Sequence, residues 1–185
     1  MKFIKLYLII FILLNSVVKA DSSQNLINEL ENGGKLIFIR HAYAPGGGDP
    51  NNFDINYCNT QRNLNDNGKE QAKKIGDFFL ENEILIDKIY SSEWCRCKET
   101  SLIAFKRFET KKFLNSFFSK KFAKNKDDQI IAFKNFINDW DGVQNLVFVT
   151  HYVVISEILN YATSSGEIVI TNKDLKVIDT MQIEY

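Results

Sequence analysis

Leu36-Ile37-Phe38-Ile39-Arg40-His41-Ala42-Tyr43-Ala44-Pro45-Gly46-Gly47-Gly48 is the stretch on which the fold turns. Four apolar residues with a strong strand bias run directly into an Arg-His pair, and a Pro/Gly-rich loop then releases the chain. A second run, Leu146-Val147-Phe148-Val149-Thr150-His151, repeats the design. His41 and His151 are the only two histidines of the chain, and both fall at equivalent strand ends. A third strand is expected over residues 86–90, followed by a helix from residue 93 or 94 to 108 that buries Leu102, Ile103 and Phe105. Arg96 lies in the first turn of that helix, where the helix dipole is already positive; an anion held there would remove the conflict.

The remaining segments fit around these strands. Residues 22–33 read as a short amphipathic helix stopped by Gly33-Gly34. Residues 42–62 hold three consecutive glycines and both prolines of the chain and form a long loop, which in a compact domain usually serves a site. Asn65 caps a helix running to Glu81 whose buried face is Ala72, Ile75, Phe78 and Phe79. Residues 109–125, with Phe113, Phe117, Phe118 and Phe122, have no clear period and are expected to cover the core rather than stack on a ligand. A helix over 127–140, another after His151 and a hairpin with strands near 168–171 and 177–184 complete the chain.

This alternation predicts an α/β fold: a three-layer α/β/α arrangement with a mostly parallel central sheet and helices on both faces. In such sheets the ligand lies beyond the carboxyl ends of the strands, which is where His41, Arg96 and His151 fall. Arginine presents a planar fork that matches phosphate oxygens two at a time, so Arg40 and Arg96 together suit a dianion. A neutral imidazole can attack phosphorus, and a second, protonated one can donate to the phosphoryl oxygens. The set describes a phosphoryl-transfer pocket that calls for no metal and no cofactor.

Composition bounds the rest. Residues 1–20 start basic, continue through an unbroken apolar run from Leu6 to Leu14 and end at Val18-Lys19-Ala20, the pattern of a secretory signal peptide cleaved after Ala20. The run is short of the ~20 residues that span a bilayer, so no stable membrane insertion is expected after cleavage. A single domain, residues 21–185, is expected in the periplasm or outside the cell. Losing Lys2, Lys5 and Lys19 takes 23 basic residues to 20 against 23 acids, a net of −3, which gives no reason to expect nucleic-acid binding. In an oxidising compartment Cys58 can pair with Cys95 or Cys97; three cysteines and one distant histidine lack the paired spacing of a zinc site.

Four motifs in order resemble the histidine phosphatase superfamily, the group that includes cofactor-dependent phosphoglycerate mutase. They are Arg40-His41, Arg62-x-Leu64-x-x-x-Gly68-x-x-Gln71-Ala72, Ser91-Ser92-x-x-x-Arg96-x-x-Glu99-Thr100 and Thr150-His151, and the resemblance spans about residues 36–162. Trp94-Cys95-Arg96-Cys97-x-Glu99-Thr100 and Leu114-Asn115-Ser116-Phe117-Phe118 are similar to segments of small exported bacterial members. The resemblance implies a phosphoglycerate mutase-like fold and a phosphatase acting on a phosphate monoester or phosphohistidine, carried by a small molecule or a phosphoprotein. His41 would be the nucleophile that becomes phosphorylated; Arg40, Arg96 and His151 would hold the transferred group, and Arg62 would reach the substrate at the pocket mouth. The chain departs from the family pattern in three places. Ala42 follows the Arg-His pair where glycine is usual, Asn115 stands where a proton-donating Glu is expected, and Tyr152 rather than an acid follows His151. Besides a phosphatase, a phosphomutase or a catalytically weak or idle phosphate- or phosphoprotein-binding module fits the pattern.

Overall fold

The computed structural model describes residues 24–185; the expected signal segment lies outside them. A helix over residues 24–31 (α1) leads into strand β1, Leu36–Arg40. The chain then runs through α2 (Asp66–Glu81), β2 (Ile86–Ser91), α3 (Cys95–Phe105), β3 (Glu109–Thr110), α4 (Lys126–Asn138), β4 (Asn145–Thr150), α5 (Tyr152–Leu159), β5 (Ile168–Thr171) and β6 (Val177–Met181). These six strands form one sheet in the order β3-β2-β4-β1-β5-β6. The first four run parallel, while β5 pairs antiparallel with β1 and with β6. The expected three-layer fold is therefore present, with an antiparallel hairpin added to one edge.

Alternating side chains of each strand face opposite layers. Ile37 and Ile39 of β1 and Val147 and Val149 of β4 join Leu26 and Leu30 of α1 and Ile75 and Phe79 of α2 on one side. Leu36, Phe38, Leu146 and Phe148 face Phe133 and Ile137 of α4 and Ile155 of α5 on the other. Phe38 and Phe148 stack at 5.3 Å between centroids, and Phe133 meets Phe148 edge-on at 5.4 Å. Full burial of each such side chain is worth about 1.5–3 kcal/mol, so the apolar runs that end at the two histidines also hold the sheet together.

Because β1, β2 and β4 are parallel neighbours, their carboxyl ends lie side by side. The ladder continues one residue past two of them: the His41 N–H donates to the Thr150 carbonyl (2.9 Å) and the Ser92 N–H to the Val149 carbonyl (3.0 Å). The backbone at the site is thus fixed by the sheet.

Helix α3 differs from its sequence reading. It stops at Phe105 because Lys106 takes the left-handed conformation (φ 60°), and residues 109–110 then pair with β2. Leu102 is exposed, and the buried face is Cys95, Arg96, Cys97, Thr100 and Ser101. Ile103 and Phe105 are half-buried against the core as expected, but a count of apolar residues misses the more deeply buried side chains, several of which are polar and find partners: Ser101 donates to the Cys97 carbonyl, and Thr100 donates to the Arg96 carbonyl while accepting from the Ala42 N–H. The aromatic segment is divided. Phe113 packs against Phe133 and Phe136, and Phe117 is buried, whereas Phe118 and Phe122 line the cleft at the strand ends.

Asn65 caps α2 as expected, its side chain accepting from the Gly68 N–H at 3.0 Å. Gly68 lies under the loop that follows His41. A methyl group added there would stand 1.9 Å from the Tyr43 carbonyl oxygen, and the loop backbone would have to move. Gly68→Ala is expected to lower the unfolding free energy by about 2 kcal/mol or more, read by denaturant titration; an unchanged midpoint would show that the loop yields freely.

Candidate active site

Beyond the carboxyl ends of β1, β2 and β4 lies a cleft of about 770 Å³. Arg40, His41, Arg62, Arg96 and His151 all line it, so residues spread over more than a hundred positions meet in one place. The two imidazoles stand 5.5 Å apart between centroids, and both are almost fully buried.

Local bonds set the chemistry of His41. Its Nδ1 lies 2.8 Å from the Ala42 carbonyl, which can only accept, so Nδ1 carries the proton and Nε2 presents its lone pair. That lone pair faces the Nε–H of Arg96 at 3.2 Å. Burial, and next the charge of Arg96, hold the His41 ring well below the usual imidazole range. The ring is therefore a neutral base whose free nitrogen points into a cationic cleft.

His151 is oriented by a chain of bonds. Its Nδ1 faces Arg96 Nη2 at 3.4 Å, which assigns the ring proton to Nε2, 2.9 Å from Ser92 Oγ. Ser92 passes the bond to Asn115 Oδ1 at 3.1 Å, and Asn115 Nδ2 donates to Glu93 Oε2 at 2.6 Å. Burial, then Arg96, depress the His151 pKa well below its ordinary value too. The sequence reading expects one protonated imidazole; burial and the charge of Arg96 favour the neutral form of both rings.

The arginines are held differently. Arg40 donates to the Thr163 carbonyl at 2.7 Å and stacks on Tyr152, with its Cζ 5.6 Å from the ring centroid. Tyr152, noted from the sequence only as a non-acidic neighbour of His151, thus supports Arg40. Arg62 donates to the Ala44 carbonyl and makes no salt bridge among the described residues. The Nε–H groups of both Arg40 and Arg62 are buried without a partner among the described residues, an arrangement that favours an incoming acceptor. Arg96 is buried deepest and carries a salt bridge to Asp49 at 2.7 Å.

Asn115 and Glu93 do not line the cleft: Asn115 is turned toward Ser92 and Glu93. Cys58 is bonded to Cys95, tying the long loop to the start of α3, and Cys97 is free and buried, with Sγ 3.5 Å from His151 Nε2. Burial pushes the Cys97 thiol up to about 12, which leaves it protonated and unreactive at neutral pH. Asp49 escaped the sequence reading. The only available signal was its place between Gly48 and Pro50, in a loop already assigned to the site.

The model of the histidine phosphatase superfamily (branch 1) matches residues 36–115, a stretch that holds Arg40, His41, Arg62 and Arg96 and stops before His151. Comparison with curated proteins finds no match. Among solved structures, a putative phosphohistidine phosphatase SixA from Agrobacterium tumefaciens has a TM-score of 0.55 at 17% identity over 80% of this chain and 97% of its own. A protein histidine phosphatase SixA complexed with tungstate gives 0.55 at 13% identity over 80% and 96%. A phosphoglycerate mutase from Thermus thermophilus gives 0.56 at 14% identity over 81% and 99%. The chain thus has a phosphoglycerate mutase-like fold and, from the first strand to Asn115, carries a match to the histidine phosphatase superfamily.

Proposed function

We propose that the protein is a phosphatase that hydrolyses a phosphate monoester or phosphohistidine through a phosphorylated His41. The observation that carries this reading is the His41 Nε2 lone pair, held 3.2 Å from Arg96 Nε in a cleft with two further arginines whose Nε–H groups have no partner among the described residues. In the first step His41 Nε2 bonds to phosphorus as the bond from phosphorus to the leaving atom breaks, and the leaving group departs with the electron pair. The developing charge on the phosphoryl oxygens falls among Arg40, Arg62 and Arg96. In the second step water bonds to phosphorus, the P–N bond breaks and phosphate leaves with His41 restored. The superfamily match supports this chemistry, as does a fold neighbour described as a protein histidine phosphatase complexed with tungstate, a tetrahedral oxyanion.

The substrate would be a phosphorylated small molecule or phosphoprotein. The signal-like leader together with the Cys58–Cys95 bond supports an exported, small single-domain member of the superfamily, residues 21–185, working in an oxidising compartment. The reading is tested by mixing the protein with an aryl phosphate, quenching in alkali and mapping bound phosphate. Alkali-stable, acid-labile phosphate on His41 is expected. Turnover without that adduct would overturn the nucleophile, and phosphate binding without turnover would point to a binding module.

A further inference from the structure

We propose that Asp49 is the positioning residue of this cleft: its carboxylate grips the outer edge of the Arg96 guanidinium and so aims the inner edge at the group transferred to His41. The inference rests on the phosphatase reading for the identity of that group, but its evidence is separate. Arg96 has five N–H groups, and all five are assigned. Nε donates to His41 Nε2 at 3.2 Å, and one Nη2 proton faces His151 Nδ1 at 3.4 Å. One Nη1 proton goes to the Arg62 carbonyl at 3.3 Å. The remaining Nη1 and Nη2 protons go to the two oxygens of Asp49, at 2.7 and 3.3 Å. Because a guanidinium is planar, these bonds sort by edge. The Nη1/Nη2 edge is clamped by Asp49, and the adjacent Nε/Nη2 edge opens between the two imidazoles, where a phosphoryl group on His41 Nε2 must sit.

Asp49 is itself fully engaged. Oδ1 also accepts from the Arg62 backbone N–H at 3.0 Å, and Oδ2 from the Trp94 indole N–H at 3.0 Å. Each oxygen therefore has two donors, which leaves no open site for a proton. Burial pushes the carboxyl up, but the charge of Arg96 and the bonds from Arg96, Arg62 and Trp94 outweigh it and hold Asp49 below the usual carboxylate range. Among the described residues, Asp49 is also the only carboxylate lining the cleft. As placed, it is a fixed negative charge behind an arginine, suited to orienting the guanidinium and unsuited to giving up a proton.

The loop is built to deliver this carboxylate. Gly46 and Gly48 take the left-handed conformation (φ 91° and 86°), which turns the chain back toward α3. Three consecutive residues at the start of α3 then hold the loop: Trp94 stacks on Phe53 with centroids 5.1 Å apart, Cys95 carries the disulfide and donates from its N–H to Gln61 Oε1 at 2.9 Å, and Arg96 takes Asp49. The Trp94–Phe53 stack and the two Cys95 bonds do not involve Asp49, so its charge can be removed while they still latch the loop.

The test measures tungstate binding by calorimetry and kcat/KM over a series of phosphate esters, for the wild type, D49N and D49E. D49N is expected to weaken tungstate binding by roughly 10-fold and to lower kcat/KM by roughly 10–100-fold, the usual range for loss of a supporting residue. The loss should be the same for good and poor leaving groups, and D49E should recover part of it. Tighter tungstate binding in D49N would overturn the inference by making Asp49 a competitor for the anion site. A loss confined to poor leaving groups would overturn it in favour of proton donation, and no change would make Asp49 a bystander. Tungstate binding without turnover in the wild type would sink the phosphatase reading while leaving the binding comparison to decide Asp49. Normal wild-type turnover with an unaffected D49N would sink this inference alone.

Discussion

His41→Ala is expected to abolish turnover, with kcat/KM on an aryl phosphate falling by roughly 10⁴-fold or more, as nucleophile removal does elsewhere, and with no acid-labile phosphate trapped on the protein. The expectation rests on the arrangement of bonds around the ring. Nδ1 is committed to the Ala42 carbonyl, leaving Nε2 as the one basic nitrogen of this ring, and that nitrogen faces Arg96. No ready substitute stands nearby among the described residues: His151 Nδ1 faces Arg96 and its Nε2 faces Ser92, and the Cys97 thiol is held protonated at a pKa of about 12. The arginines are not bonded to His41 except through Arg96 Nε, so tungstate should still bind H41A within a few-fold of the wild type when measured by calorimetry. The two readouts together separate loss of the nucleophile from collapse of the cleft. A residual rate within about 10-fold of the wild type would mean that another atom attacks phosphorus.

How far the site was legible in the sequence depends on which residues have a periodic framework around them. Arg40, His41 and His151 are readable because each comes within two residues of the end of an apolar run, where a buried strand gives way to polar side chains. Arg96 is readable as a cation at a helix start, an electrostatically poor position. Asp49 has no such framework. It reaches Arg96 across 47 positions, through a loop whose path is set by glycine conformations and a disulfide rather than by any period. The buried polar face of α3 misleads for a related reason: Thr100 and Ser101 are buried because backbone groups satisfy them, and hydropathy does not register satisfaction. The edge strand β3 is two residues long and exists only through pairing with β2. The choice of Cys95 over Cys97 follows from a difference in direction around α3, with one side chain toward the loop and the other toward His151.

Leaving-group dependence is the second large effect expected. Where relatives are expected to carry a proton-donating Glu, Asn115 is turned away from the cleft and bonded to Ser92 and Glu93, and an amide has no proton to give at neutral pH in any case. Both imidazoles are held well below their usual range by burial and then by Arg96, so neither stores a proton near pH 7. Asp49, the one carboxylate of the cleft among the described residues, is saturated by four donors and held ionised. The leaving oxygen must therefore depart as an anion or take its proton from water. Loss of a general acid typically costs ~10²–10⁴-fold, and the cost concentrates on leaving groups that need the proton. Across a series from nitrophenyl to alkyl phosphates, kcat/KM should fall steeply with leaving-group pKa, by ~10²–10⁴-fold between the ends, whereas acyl phosphates and phosphohistidine should remain good substrates. Equal rates on aryl and alkyl esters would mean that a donor enters the cleft once substrate is bound. The same absence of a donor explains why Asp49 and the leaving group should not interact: a charge that only aims Arg96 acts on the phosphoryl oxygens, whose charge develops whatever group departs.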